Sequence, residues 1–121
     1  MSKAASVQAV WDKASEGVKA RYIAFNGGSE FDAEDVYPDV EEFKDILKAM
    51  EAPFYCEQAN EYDMTGVIGV KTEEEALDTL VDGGDKYGDW RVFQYVNGKW
   101  LEAKIKRKGK AVDLVWADYE Y

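Results

Sequence analysis

The residues of this chain that could do chemistry are carboxylates, lysines, tyrosines and one thiol, and histidine is absent. That absence removes the commonest general base near neutral pH, the Ser–His and Cys–His nucleophile pairs, and every His-ligated metal site. Cys56 sits between Tyr55 and Glu57 with no base nearby in sequence. A nucleophilic cysteine needs a cationic neighbour or a helix start to depress its pKa, so a buried structural thiol is the expectation. One thiol also makes an intrachain disulfide impossible and builds no metal cage by itself, which fits a reducing, cytoplasmic compartment. The Asp-rich run DGGDKYGD, residues 82–89, faintly suggests a calcium loop when counted from Asp78. Position three is then Leu80, however, and the closing bidentate glutamate is missing. A helix end followed by a polar turn accounts for it. No catalytic, cofactor or metal signature is present, and the reading is non-enzymatic.

What the chain does carry is organised charge. In SEFDAEDVYPDVEEFKD, residues 29–45, eight side chains are acidic and only Lys44 opposes them. Residues 30–89 have a net charge of −15, while residues 1–29 carry +2 and residues 90–121 carry +3, within a total of −10. Glu41 and Asp45 stand at i,i+4, as do Glu74, Asp78 and Asp82. Like charges at that spacing each cost a helix roughly 0.2–0.5 kcal/mol. Glu73 and Glu74 favour the positive end of a helix dipole, but Asp82 sits at its negative end, so folding does not ask for the pattern. An acidic surface that keeps molecules apart in solution is one reading. The sharper reading is a row of ordered carboxylates that imitates a nucleic-acid backbone and occupies the basic groove of a nucleic-acid-handling protein. In size, charge and compartment the chain resembles the acidic, phage-type inhibitors that block restriction, nuclease or CRISPR complexes. The resemblance rests on no shared motif. The carboxylates assigned to that surface are Glu34, Asp35, Asp39, Glu41, Glu42, Asp45, Glu74, Asp78 and Asp82.

The elements that must position these groups follow from periodicity. At 121 residues the chain fits one α+β domain, 1–121. No stretch approaches membrane-spanning length, and residues 1–13 hold no apolar run of the signal-peptide kind. Ala4, Val7, Trp11, Ala14, Val18 and Phe25 recur at three and four spacing, broken only by Arg21, and predict one N-terminal helix closed by Asn26-Gly27-Gly28. Gly17 weakens it by about 1 kcal/mol. The alternative ends the helix at Glu16 and makes residues 18–25 a strand. A second helix begins at Pro38 and buries Val40, Phe43, Ile46, Leu47 and Met50. Short strands are expected at residues 54–58 and 66–71. Thr72 and Glu75 form a capping box for a third helix.

Asn97-Gly98 between residues 90–96 and 99–106 is a hairpin signal, and Lys108-Gly109 turns into a third strand at residues 111–117. A two-residue turn sets Val96 opposite Lys99 and Gln94 opposite Leu101. The face holding Val92, Leu101 and Ile105 is expected to meet the helices. The other face holds Arg91, Phe93, Tyr95, Trp100 and Lys104, continued by Lys106, Arg107, Lys108 and Lys110. That aromatic and basic face is either covered by the N-terminal helix or serves as an alternative interface for an adaptor. Direct nucleic-acid binding runs against a net charge of −10, although a local patch can outvote a global sum. The remaining alternative is a carboxylate-based enzyme or a divalent-cation binder, recognised by a carboxyl pKa far from its ordinary value.

Overall fold

The computed structural model describes residues 2–59, 64–82 and 89–120, with the backbone alone at residues 59, 64, 65 and 82. The N-terminal stripe forms two helices rather than one: α1 spans Lys3–Lys13 and α2 spans Glu16–Phe25. Ala14 and Ser15 between them are extended, and the Ser15 hydroxyl accepts a hydrogen bond from the Val18 amide at 3.2 Å, restarting the helix. Periodicity runs through this break because Val7, Trp11 and Val18 all reach the same core. The strand alternative for residues 18–25 does not form. Helix α2 stops where the sequence says it should: the Gly28 amide donates to the Ile23 carbonyl at 2.8 Å and the Gly27 amide to Ala24 at 3.3 Å. Both glycines hold positive φ, which closes the helix without a side-chain clash.

Helix α3 spans Val40–Ala49 and is capped by Asp39, whose carboxylate accepts from the Glu42 amide at 2.9 Å. Pro38 therefore precedes the cap and does not occupy the first turn. Strands β1 (Phe54–Ala59) and β2 (Met64–Val70) follow, then α4 (Glu73–Asp82). The Thr72 hydroxyl accepts from the Glu75 amide at 3.1 Å and donates to the Glu75 carboxylate at 3.3 Å. Strands β3 (Asp89–Val96), β4 (Lys99–Lys108) and β5 (Ala111–Asp118) complete the chain.

The strand pair and the meander are one sheet. Its order is β2-β1-β3-β4-β5, every pairing is antiparallel, and β1 joins the two parts by pairing with both β2 and β3. Asn97 and Gly98 turn the β3–β4 hairpin at φ 50° and 81°, and the predicted partners Val96/Lys99 and Gln94/Leu101 are in register. Helices before and within an antiparallel sheet give the α+β class that the sequence predicts.

The helices do not all pack on the Val92 face. Helix α4 covers that face, where Cys56, Val92, Ala103, Phe54 and Val70 gather around Ala76. Helices α2 and α3 cover the opposite face, where Tyr55, Phe93 and Trp100 meet Ile46, Ala49 and Met50. Phe25, at the end of α2, drops among four rings there, those of Tyr55, Phe93, Trp100 and Tyr119, at centroid distances of 5.0–5.3 Å. Such edge-to-face and stacked contacts each add roughly 0.5–1.5 kcal/mol beyond area burial. The end of α3 lies directly on β2 at Gly69, where a Cβ would come within 2.6 Å of the Ala52 Cβ and 2.7 Å of the Ala49 carbonyl oxygen. Gly69→Ala should therefore push α3 off the sheet and cost about 1–3 kcal/mol. A urea titration reads this as a lower midpoint with an unchanged slope.

Candidate interaction surfaces

The acidic segment is held in place from beneath. Phe31 stacks on Trp11 at 3.9 Å with the planes 8° apart, and Val36 is buried in the α1–α3 core. Lys3 Nζ donates to the carbonyls of Val36 and Tyr37 at 3.0 and 2.9 Å. A short 3-10 turn at Ala33–Asp35 starts on Asp32, whose carboxylate accepts from the Glu34 amide at 3.0 Å. Each of these contacts uses an apolar ring, a backbone group or a capping oxygen. The other carboxylates of the segment are thereby left facing water.

Glu34, Asp35, Asp39, Glu41, Glu42 and Asp45 are all exposed, while Phe43, Ile46 and Leu47 on the same helix are buried. Lys44 reaches Glu41 at 3.3 Å, but both side chains are well exposed and such pairs contribute about 0–1 kcal/mol. In the middle of these acids Tyr37 is 89% exposed, the most solvated of the exposed large apolar or aromatic side chains described. A cavity of about 250 Å³ opens between α2 and the connector, walled by the Tyr22 and Phe31 rings and by Glu30, Asp32 and Asp35.

The nine predicted carboxylates do not share one surface. Glu74 and Asp78 are exposed on α4, across the sheet from α3, and the Asp82 side chain lies outside the described residues. So does most of the DGGDKYGD loop, at residues 83–88. No group of three His, Cys, Asp or Glu side chains is disposed to hold a metal among the described residues.

The proposed aromatic and basic platform is closed. Phe93 and Trp100 are 0% and 4% exposed and Tyr95 is half-buried, because α2 and α3 lie over them. Trp100 Nε1 donates to the Arg21 carbonyl at 2.7 Å, and Arg21 in turn donates to the Met50 carbonyl. Of the five alternative residues, Arg91 and Lys104 are exposed.

Both enter a polar network that the sequence did not disclose. Arg91 makes a bidentate pair with Glu102 at 2.8 and 2.9 Å, Lys104 reaches Glu102 at 3.5 Å, and Tyr55 donates to Glu57 at 3.1 Å. The Arg91 hydrogen bonds hold the Glu102 carboxyl below its usual range, whereas burial raises that of Glu57 and that of the Tyr55 hydroxyl. Burial also pushes the Cys56 thiol up to about 12, which makes it a poor nucleophile. Arg91 and Glu102 lie two residues apart across a predictable hairpin, so their diagonal was within reach of the sequence. The place of Glu57 opposite Arg91 depends on β1–β3 pairing and was not. Comparison of the chain with known protein families, curated proteins and solved structures found no match.

A depressed folded-state pKa at Glu102 means that its contribution is present above the unfolded-state value and is lost as pH falls through the folded one. Arg91→Met should cost about 1–2 kcal/mol near neutral pH, an estimate reduced because Arg91 is half-exposed. Urea titrations at successively lower pH should show the gap to the parent protein narrowing as Glu102 is protonated, a step that comes at lower pH in the parent than in the variant.

Proposed function

We propose that this is a non-enzymatic binding protein that places its acidic segment in a basic groove of a nucleic-acid-handling protein or complex, as a phage-type inhibitor does. The observation that carries the reading is the exposed row Glu34, Asp35, Asp39, Glu41, Glu42 and Asp45, held on a pinned turn and a capped helix with Tyr37 standing out among them. Fixed carboxylates lose little conformational entropy on meeting a cationic groove, and an exposed tyrosine is the kind of residue that anchors an interface. Solubility alone would be served as well by acids on mobile loops. Helix α4, on the other side of the sheet, supplies a built-in control.

The test begins with a tagged pull-down from nuclease-treated lysate. Whichever nucleic-acid-binding protein is captured is then titrated in purified form against variants. Glu41→Lys with Asp45→Lys should leave the melting temperature nearly unchanged and weaken binding at least about tenfold, with a steep salt dependence. Tyr37→Ala should weaken it by a similar factor, while Glu74→Lys with Asp78→Lys should leave it within about twofold. Added duplex should compete for the captured protein. Unchanged affinity in the α3 charge reversal would reduce the acidic segment to a solubilising surface.

A further inference from the structure

The chain's second concentration of charge is basic and lies at the other end of the sheet. Residues 104–110 hold five bases, Lys104, Lys106, Arg107, Lys108 and Lys110, with no acid among them. Strands β4 and β5 stay paired out to Lys108/Ala111, whereas the β3–β4 ladder stops at Phe93/Glu102. Beyond that point the hairpin continues as a two-stranded ribbon, and every residue from Lys106 to Ala111 is exposed.

Alternation along β4 sets Lys104, Lys106 and Lys108 on one face of the ribbon, with charges roughly 7 Å apart over about 14 Å. Lys104 contacts Glu102 at 3.5 Å, and Asp113 is the cross-strand neighbour of Lys106. Among the described residues no ion pair engages Lys106, Arg107, Lys108 or Lys110.

Protection of a sheet edge accounts for only part of this set. Lysines on open edges discourage unwanted pairing, and beyond Glu102 the β3 side of β4 is such an edge. Lys110, in the turn between β4 and β5, guards no edge, and the outermost strand β5, AVDLVWAD, carries no base. Nor does the ribbon offer the buried aromatic anchors on which protein interfaces depend, since its exposed large apolar side chain is Val115.

We infer that the β4–β5 ribbon is a contact surface for the phosphate backbone of double-helical nucleic acid. A two-stranded ribbon fits the major groove, and the bases without an ion pair at its tip, Lys106 and Lys108 on one face, Arg107 on the other and Lys110 in the turn, satisfy phosphates without reading bases. The net charge of −10 does not forbid this. Helix α3 packs over β2, and β2 stands three strand spacings from β4, roughly 14 Å, more than one screening length at physiological salt. The acids of α4 lie on the opposite face of the sheet from the lysine row; Glu73 there accepts from Trp116 at 3.4 Å.

The inference goes beyond the acidic-face reading and does not require it, because the probe is naked nucleic acid with no protein partner present. Fluorescence anisotropy with a labelled mixed-sequence duplex of about 20 base pairs near 50 mM salt should show saturable binding. Its log–log salt slope should be about −3 to −4, as expected for four phosphate contacts. Lys106→Ser, Arg107→Ser, Lys108→Ser and Lys110→Ser combined should weaken binding at least about tenfold and flatten the slope, with circular dichroism unchanged. Glu41→Lys with Asp45→Lys should bind the duplex at least as well as the parent. Absence of saturable binding, full retention by the ribbon variant, or equal affinity for polyglutamate would each overturn the assignment.

Discussion

The hydrogen bond from the Trp100 indole to the Arg21 carbonyl, 2.7 Å long, ties the middle of α2 to the fourth strand of the sheet. With α2 fixed there, Phe25 falls among the rings of Tyr55, Phe93, Trp100 and Tyr119, and Arg21 reaches back to the end of α3. The face most suited to recognition by its composition thus becomes interior. A polar donor buried with its ring is satisfied by a single backbone acceptor, so the cluster closes without an orphaned N–H. The surfaces left open to recognition lie at the periphery of the sheet.

At that periphery charge is segregated. The acids of residues 30–45 ride on α3, which packs over β2, and on a connector held against α1, and the bases without an ion pair project from the far end of β4. Neither concentration is neutralised by the other, because the width of the sheet holds them apart by more than a screening length. The molecule therefore presents an electrical axis that lies roughly across its strands. Two large partners of opposite charge could be met at once without competing for the same residues.

Local features were legible in the sequence, and long-range ones were not. Asn97-Gly98 fixes its own register because the turn geometry involves only its neighbours, and Thr72 and Asn26-Gly27-Gly28 mark helix ends for the same reason. The break at Ser15 escaped periodicity since residues on both sides of it serve one core. The union of β1 with β3 joins residues thirty to forty positions apart, and no local preference encodes it. One signal for two-sided burial was available: in WRVFQYV, residues 90–96, apolar side chains occupy both parities, as they do in strands covered on both faces. Exposure of the acids was predictable from their type. Their division between opposite faces of the sheet followed only from the topology.

Cys56 stands opposite Val92 on one side and Ile68 on the other, fully buried in a strand that is paired along both edges. A lone thiol in that position is a natural clock for the opening of the sheet. In the native state its sulfur is screened from reagents by α4 and by neighbouring strands, so its rate of alkylation would follow the rate or equilibrium of the opening that uncovers it. The same enclosure keeps two molecules from joining through their only thiol while folded. Covalent dimers appearing during storage would be a record of molecules that had come apart.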